Sequence, residues 1–314
     1  MKSKLQTLTM RDALLECIYA EMRDNSNIYF LTADFGAPIL DKIRNDYKNR
    51  FINVGVAEQN LINISSGLAS EGYDVYAFAI APFITMRCYE QIRINLALTA
   101  GLKKINVNLI GVGAGVSYDV SGPTHHCLED LSIMSILPNF TIFSPSDVIL
   151  VKKFFNQTLK NKNPKYLRLD SKALGVIDEK FFNFNFLDGF RLIKNESEKC
   201  IVTTGYMTHV ARRVNNRIKR KVDIIDLYNL KKFNENKLIG FLKKYKKIIT
   251  LEESFEKYGA IENIIKTIMI NYKKDIKYIF RGFKNEYTFE VGDRNFIHEL
   301  NKISESDIIS ELES

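Results

Sequence analysis

The chain alternates short apolar runs with amphipathic stretches over almost its whole length, and this rhythm narrows its fold most. A first series has strand-like runs at "NIYFLTADF" (27–35), "RFINVG" (50–55), "YDVYAFAI" (73–80), "KINVNLIGV" (104–112), "FTIFSPSD" (140–147) and "KYLRLD" (165–170). Helical patterns fall between them at 57–71 and around 84–100, and another begins after Ser146 or Asp147, either of which suits an N-cap. On 57–71, Leu61, Ile64, Leu68, Ser65 and Ala69 are expected on one face. A second series carries strands at 200–206, 222–228, 247–254 and 276–282, with helices at 208–219, 235–245 and 258–271 between them. Strands alternating with helices of this length predict parallel sheets with helices on both faces. The fold class is therefore α/β: two doubly wound domains with mainly parallel sheets. Residues 4–172 and 199–314 form the domains, and 173–198 is a linker with one hairpin-like piece. No period of 20–50 residues repeats, which excludes a solenoid.

Composition removes several functional classes. No run approaches the roughly 20 apolar residues of a membrane helix, and "MKSKLQTLTMRDALLE" lacks a signal peptide's apolar stretch, so a soluble cytoplasmic protein is expected. The four cysteines are widely spaced without a C-x-x-C pair, which fits reduced, buried thiols. A net charge of +8 raises nucleic acid as a partner. The basic runs "RRVNNRIKRK" and "KKYKK" lack interleaved aromatics and read as solvated helix faces, so neither nucleic acid nor membrane is expected as a partner.

Four stretches carry candidate chemistry. In "VGVAEQN" (54–60), Glu58 is either a helix-start acid favoured by the macrodipole or a functional acid in apolar company. "GVGAGVS" (111–117) follows a strand, but Val116 replaces the sixth-position glycine of a dinucleotide fingerprint; its glycines suit a backbone approaching a ligand. "GPTHHC" (122–127) is either a helix start capped by Thr124, with Cys127, Leu128 and Leu131 turned inward, or a turn that aims His125 into a cleft. In "APFITMRCYEQIR" (81–93), Phe83, Met86 and Tyr89 at i, i+3 and i+6 make a helical stripe, either plain core or a flat wall for an aromatic ring.

Together, "FINVGVAEQNLINISSGLAS", "APFITMRCYEQI" and "GVGAGVSYDVSGPTHHCLEDLSIMSILPNFTIFSPSD" resemble the pyrimidine-binding domain of transketolases, and the second series is similar to the transketolase C-terminal domain. Transketolases use thiamine diphosphate to move a two-carbon ketol unit between sugars. The resemblance implies that Glu58 hydrogen-bonds the aminopyrimidine ring nitrogen of the cofactor, favouring the imino tautomer from which the carbanion nucleophile is generated. It places Phe83, Met86 and Tyr89 on the wall around the pyrimidine, Met86 being a departure from a mostly aromatic set, and Asp34 near the thiazolium. It assigns His125 to the donor sugar's oxygens and Arg11 to the substrate phosphate.

Other departures concern the substrate. Gly113 stands where many transketolases carry a second histidine, and Ser121 where an acid reads a substrate hydroxyl. Ser171, with Lys172 beside it, replaces a phosphate-binding arginine, and Pro38 a phosphate-binding serine. These changes favour a specialised acceptor, as in unusual sugar biosynthesis. The Gly-Asp-Gly…Asn motif that holds Mg²⁺ and diphosphate has one near match, "GDRN" (292–295), which lacks the second glycine and the spaced Asn. The chain therefore resembles the C-terminal subunit of a split transketolase, and its own residues supply no metal ligands. An N-terminal subunit as partner, a 2+2 heterotetramer and self-association through the pyrimidine domain are the corresponding expectations. The alternatives are a 2-oxoacid dehydrogenase β subunit, a 1-deoxyxylulose-phosphate synthase-like enzyme and a non-catalytic scaffold.

Overall fold

A computed structural model describes residues 6–177, 184–272 and 276–313. They form two compact units. One gathers the chain up to Ala114 with residues 133–143 and 147–176; the other gathers 115–132, 144–146 and the chain from Ile177 onward.

The first unit is built on six strands, β1 (Ile28–Thr32), β2 (Phe51–Asn53), β3 (Asp74–Ile80), β4 (Asn106–Val112), β5 (Thr141–Phe143) and β6 (Lys165–Leu169). They pair in the order β2-β1-β3-β4-β6-β5, every pair parallel. All seven residues of β4 and six of seven in β3 are buried, the continuous apolar pattern of a sheet covered on both faces. Among its helices are α1 (Met10–Asp24), α2 (Pro38–Asp46), α3 (Glu58–Ser70) and α4 (Val148–Lys160). Thr9 caps α1 by accepting from the Asp12 N–H, and Asp147 caps α4 by accepting from Ile149 and Leu150. The strand order turns about β1 and β3: β2 lies beyond one, β4 beyond the other. In open α/β sheets, ligands bind outside the carboxyl ends of strands at such a switch point.

The helix expected around 84–100 differs in kind. Phe83–Arg87 and Ile92–Leu98 are π-wound, separated by one α-helical turn at Tyr89–Gln91. Ile84, Cys88, Ile92 and Leu96 make the buried edge. An i, i+3, i+6 stripe makes one face of an α-helix, but wider π turns carry its members apart. Met86 is accordingly 38% exposed.

The second unit holds β7 (Phe190–Ile193), β8 (Lys199–Thr203), β9 (Asp223–Leu227), β10 (Lys247–Phe255) and β11 (Lys277–Phe283), in the order β11-β10-β8-β9-β7. The first four strands of that order are parallel, and β7 runs antiparallel on β9. β7 thus places part of the expected linker in the second sheet, as an edge strand rather than a local hairpin. Part of that linker, 178–183, lies outside the described residues. Helices α5 (Tyr206–Arg217), α6 (Glu235–Leu242), α7 (Ala260–Met269), α8 (Arg294–Leu300) and α9 (Glu305–Glu313) belong to this unit. Its core joins Met207, Val210 and Val214 of α5 to Ile201, Ile224 and Ile249 of the sheet. At ~1.5–3 kcal/mol per fully buried side chain, such contacts dominate the stability of the unit.

Candidate functional site

Glu58 is the first residue of α3, behind Ala57, which offers no side-chain cap. An acid in the first turn meets the positive end of the helix dipole, which favours its charged form. Its position on the helix matters more. The buried residues of α3 are Glu58, Leu61, Ile62, Ser65 and Ala69, so the acid lies on the core-facing stripe and is 5% exposed. Ile64 and Leu68, expected on that stripe, are only half-buried, because the burial axis is rotated by about one residue.

A carboxylate this buried needs a partner. Arg87 supplies it, donating from Nη1 to both Glu58 oxygens at 3.1 and 3.2 Å. The Arg87 guanidinium also lies 3.8 Å from the Phe83 ring centroid, a cation–π contact. Gln59 Nε2 donates to the Arg87 carbonyl at 3.2 Å, fastening α3 to the π-wound segment. Beside this pair, burial first and the Glu58 charge second push the Cys88 thiol up to about 12.

Asp34 follows β1 with φ 53°, a left-handed conformation uncommon outside glycine. Asn53, at the end of neighbouring β2, holds it there. Asn53 Oδ1 accepts from the backbone N–H groups of Asp34 and Gly55, and its Nδ2 donates to Asp34 Oδ1, each at 3.0 Å. Thr32, Asp34, Pro38, Asp41, Arg44 and Asn53 line a cleft of about 550 Å³. The carboxyl ends of β2, β1 and β3 therefore deliver Glu58, Asp34 and Phe83 along one edge of the switch point.

Other expected residues are placed differently. Tyr89 donates its hydroxyl to the Ile133 carbonyl at 2.8 Å and lines an apolar groove of about 450 Å³ with Leu98, Ile136 and Pro138. Arg11, in the first turn of α1, pairs with Asp12 at 2.8 Å. Lys172 is exposed, and its backbone N–H bonds Asp170 at 2.8 Å.

Ser121 and His125 belong to the second unit. Ser121 is exposed, and His125 is half-buried with Nδ1 3.1 Å from the Thr124 hydroxyl. No helix starts at Thr124; the segment is a turn, closed where the Cys127 N–H donates to the Gly115 carbonyl at 2.8 Å. Cys127, Leu128 and Leu131 do turn inward. His126 is buried with Nε2 3.3 Å from the Asp119 carbonyl, and burial pulls its pKa below the ordinary value.

Arg87 and Asn53 were not singled out from the sequence. Arg87 lies in a quoted motif, but the α-helical stripe drew attention to its neighbours. Asn53 precedes "VGVAEQN" by one residue and carries no pattern of its own. Among the described residues, no group of three His, Cys, Asp or Glu side chains could hold a metal ion.

Comparison with known proteins identifies the family. The transketolase pyrimidine-binding domain model matches residues 6–176, more than half of the chain. The chain belongs to the transketolase family. The transketolase C-terminal domain model matches 190–283. Among curated transketolase relatives, the 6-deoxy-6-sulfo-D-fructose transketolase subunit of Clostridium sp. (strain MSTE9) is 27% identical, covering 80% of this chain and 78% of that protein. An apulose-4-phosphate transketolase subunit of Phocaeicola vulgatus is also 27% identical, over 81% and 80%. A solved split-gene transketolase, described as an inactive β4 tetramer, superposes with a TM-score of 0.80 at 23% identity, covering 98% of this chain and 97% of that one. A solved transketolase of Campylobacter jejuni gives a TM-score of 0.78 at 18% identity, covering 98% of this chain and 47% of that one. No described helix is long and apolar enough to cross a membrane.

Proposed function

We propose that this chain is the C-terminal subunit of a split, thiamine-diphosphate-dependent transketolase, a cytoplasmic enzyme that moves a ketol unit between sugars. The observation that carries the reading is the Glu58 carboxylate, buried in the first turn of α3 and held by Arg87 over Phe83. An aminopyrimidine requires an acid for its ring nitrogen and an apolar surface beside its ring. Glu58 and Phe83 fit both requirements. Bound there, thiamine diphosphate supplies the carbon nucleophile that carries the ketol unit.

Each of the chain's own groups has a task in this reading. Glu58 holds a proton at the pyrimidine ring nitrogen. Because one Arg87 nitrogen bonds both carboxylate oxygens, one oxygen can turn to the ring while the other keeps its cation. Such positioned acid–base groups contribute ~10²–10⁴-fold. Asp34, fixed by Asn53, presents a carboxylate toward the thiazolium side. His125 and Ser121 read donor oxygens; Arg11 and Lys172 meet an anionic substrate group. Tyr89 and Met86 contribute to the edge of the cofactor wall.

The partner in this reading is an N-terminal transketolase subunit that carries the diphosphate and Mg²⁺, in a 2+2 assembly with self-association through the pyrimidine domain. Val56, 73% exposed two residues before Glu58, supports contact there, since an exposed apolar group beside a buried acid suits an interface. Relatives acting on a sulfonated sugar and on apulose 4-phosphate support a specialised sugar as substrate.

The test is reconstitution with an N-terminal subunit, thiamine diphosphate and Mg²⁺, followed by ketol-transfer assays across phosphorylated, sulfonated and nucleotide-linked sugars. Glu58→Gln should lower turnover at least ~100-fold while the complex stays assembled. Undiminished turnover by that variant would refute the assignment of Glu58.

A further inference from the structure

The "GDRN" stretch, unsuitable as a metal motif, has another task in the second unit. Asp293 caps α8 by accepting from the Phe296 N–H, and Arg294 opens the helix. Arg294 Nε donates to Glu253 Oε1 at 2.8 Å and its Nη2 to Glu253 Oε2. His298, one turn later, brings Nε2 to 2.7 Å from Glu253 Oε1. Glu253, Arg294 and His298 are all under 5% exposed. Burial alone would raise the Glu253 carboxyl, but the Arg294 charge, with the hydrogen bonds from Arg294 and His298, outweighs it and holds the group well below the carboxylate range.

This buried cluster touches the turn that carries His125 at two points. Gly115, at φ 56°, lies so close that a Cβ there would meet Glu253 Oε2 at 1.9 Å. The Arg294 backbone N–H donates to Asp119 Oδ2 at 3.1 Å. Asp119 in turn accepts from Val120 through Oδ1, and its carbonyl faces His126 Nε2. With the Gly115–Cys127 bridge closing the base, residues 115–127 are pinned at the base and at Asp119.

We propose that Asp119 and the Glu253–Arg294 pair are positioning residues that set the His125 turn for substrate, a role that rests on the proposed function of His125. A cluster of fixed charge with little conformational freedom suits this role, because its geometry stays constant while the turn meets a polar ligand. Asp119 is the informative member, since Asn keeps an acceptor oxygen for the Arg294 N–H and gives up only the bond to the adjacent Val120 N–H.

Two measurements test it. In the full chain with isotope-labelled histidine, Asp119→Ala should shift the His125 imidazole resonances, with Asp119→Asn restoring the wild-type positions. Those of His209, on α5 with Nε2 2.7 Å from the Ser146 carbonyl, should stay unmoved. In the reconstituted complex, with hydroxypyruvate as ketol donor, Asp119→Ala should raise KM about tenfold with kcat and thiamine diphosphate affinity little changed. That effect should vanish in a His125→Ala background. Unmoved His125 resonances, or an equal KM effect with His125 already removed, would overturn the proposal. A wild-type complex that transfers no ketol unit would refute the functional reading instead, while the histidine spectra still decide the role of Asp119.

Discussion

One nitrogen of Arg87 serves both carboxylate oxygens of Glu58, at 3.1 and 3.2 Å, while the guanidinium rests on the Phe83 ring. In its proposed role the acid is therefore already paired, and Arg87 matters through its stacked planar face as well as its charge. Arg87→Met should cut turnover of the reconstituted enzyme ~10–100-fold and lower the melting temperature as well, because it leaves the buried Glu58 carboxylate without its Arg87 partner. Arg87→Lys should recover only part of the rate, since an ammonium lacks the planar face that rests on the Phe83 ring. Full recovery by lysine would show that charge alone suffices.

Asn53 makes two hydrogen bonds to Asp34 that keep it left-handed, and a third to Gly55. Asn53→Ala should cost ~1–3 kcal/mol of stability, measured by chemical unfolding. Its effect on thiamine diphosphate affinity should be greater than that of Asp41→Asn, on the same cleft.

Gly115→Ala combines a positive φ with a collision against the Glu253 carboxylate. Both terms oppose folding, and the carboxylate cannot retreat without leaving Arg294. The variant should lose more than ~3 kcal/mol. A soluble Gly115→Ala chain with wild-type unfolding would contradict the close approach.

Acid should destabilise the chain in two windows. His126 has its folded pKa depressed below 6.5, so the unfolded chain takes up a proton that the folded chain refuses, and stability falls as pH drops through that region. Glu253 has its folded pKa depressed far below 4.5, so its contribution is complete above 4.5 and is lost progressively below it. Melting temperature against pH should show both declines. His126→Asn should remove the first alone.

Cys88 and Cys200 should resist alkylation in the native chain at pH 8. Burial pushes the first up to about 12 and raises the second well above its ordinary value. Iodoacetamide labelling mapped by mass spectrometry should find them only after denaturation.

Both sheets were legible because parallel strands buried on two faces leave long apolar runs, as in β3 and β4. Glu58 stood out because its apolar company contradicts an ordinary solvated acid. The π winding at 83–98 was hidden, since its apolar spacing also fits an α-helix within a few residues. β7 was hidden too: four residues joining a sheet through an antiparallel contact carry no local sign of their distant partner β9. The Glu253–Arg294–Asp119 links span 41 and 175 residues, separations at which charge pattern gives no guide.

The π turns after β3 make chain length a variable of the site. Each residue of an α-helix advances ~100° about its axis, from 3.6 residues per turn. Deleting one residue such as Thr85 and rewinding the segment toward α would swing Arg87 through roughly that angle relative to Phe83. Every side chain named at the site would still be present, yet the guanidinium would no longer face Glu58. Substitutions along this segment act one contact at a time, whereas a single-codon deletion would dismantle the pairing as a whole.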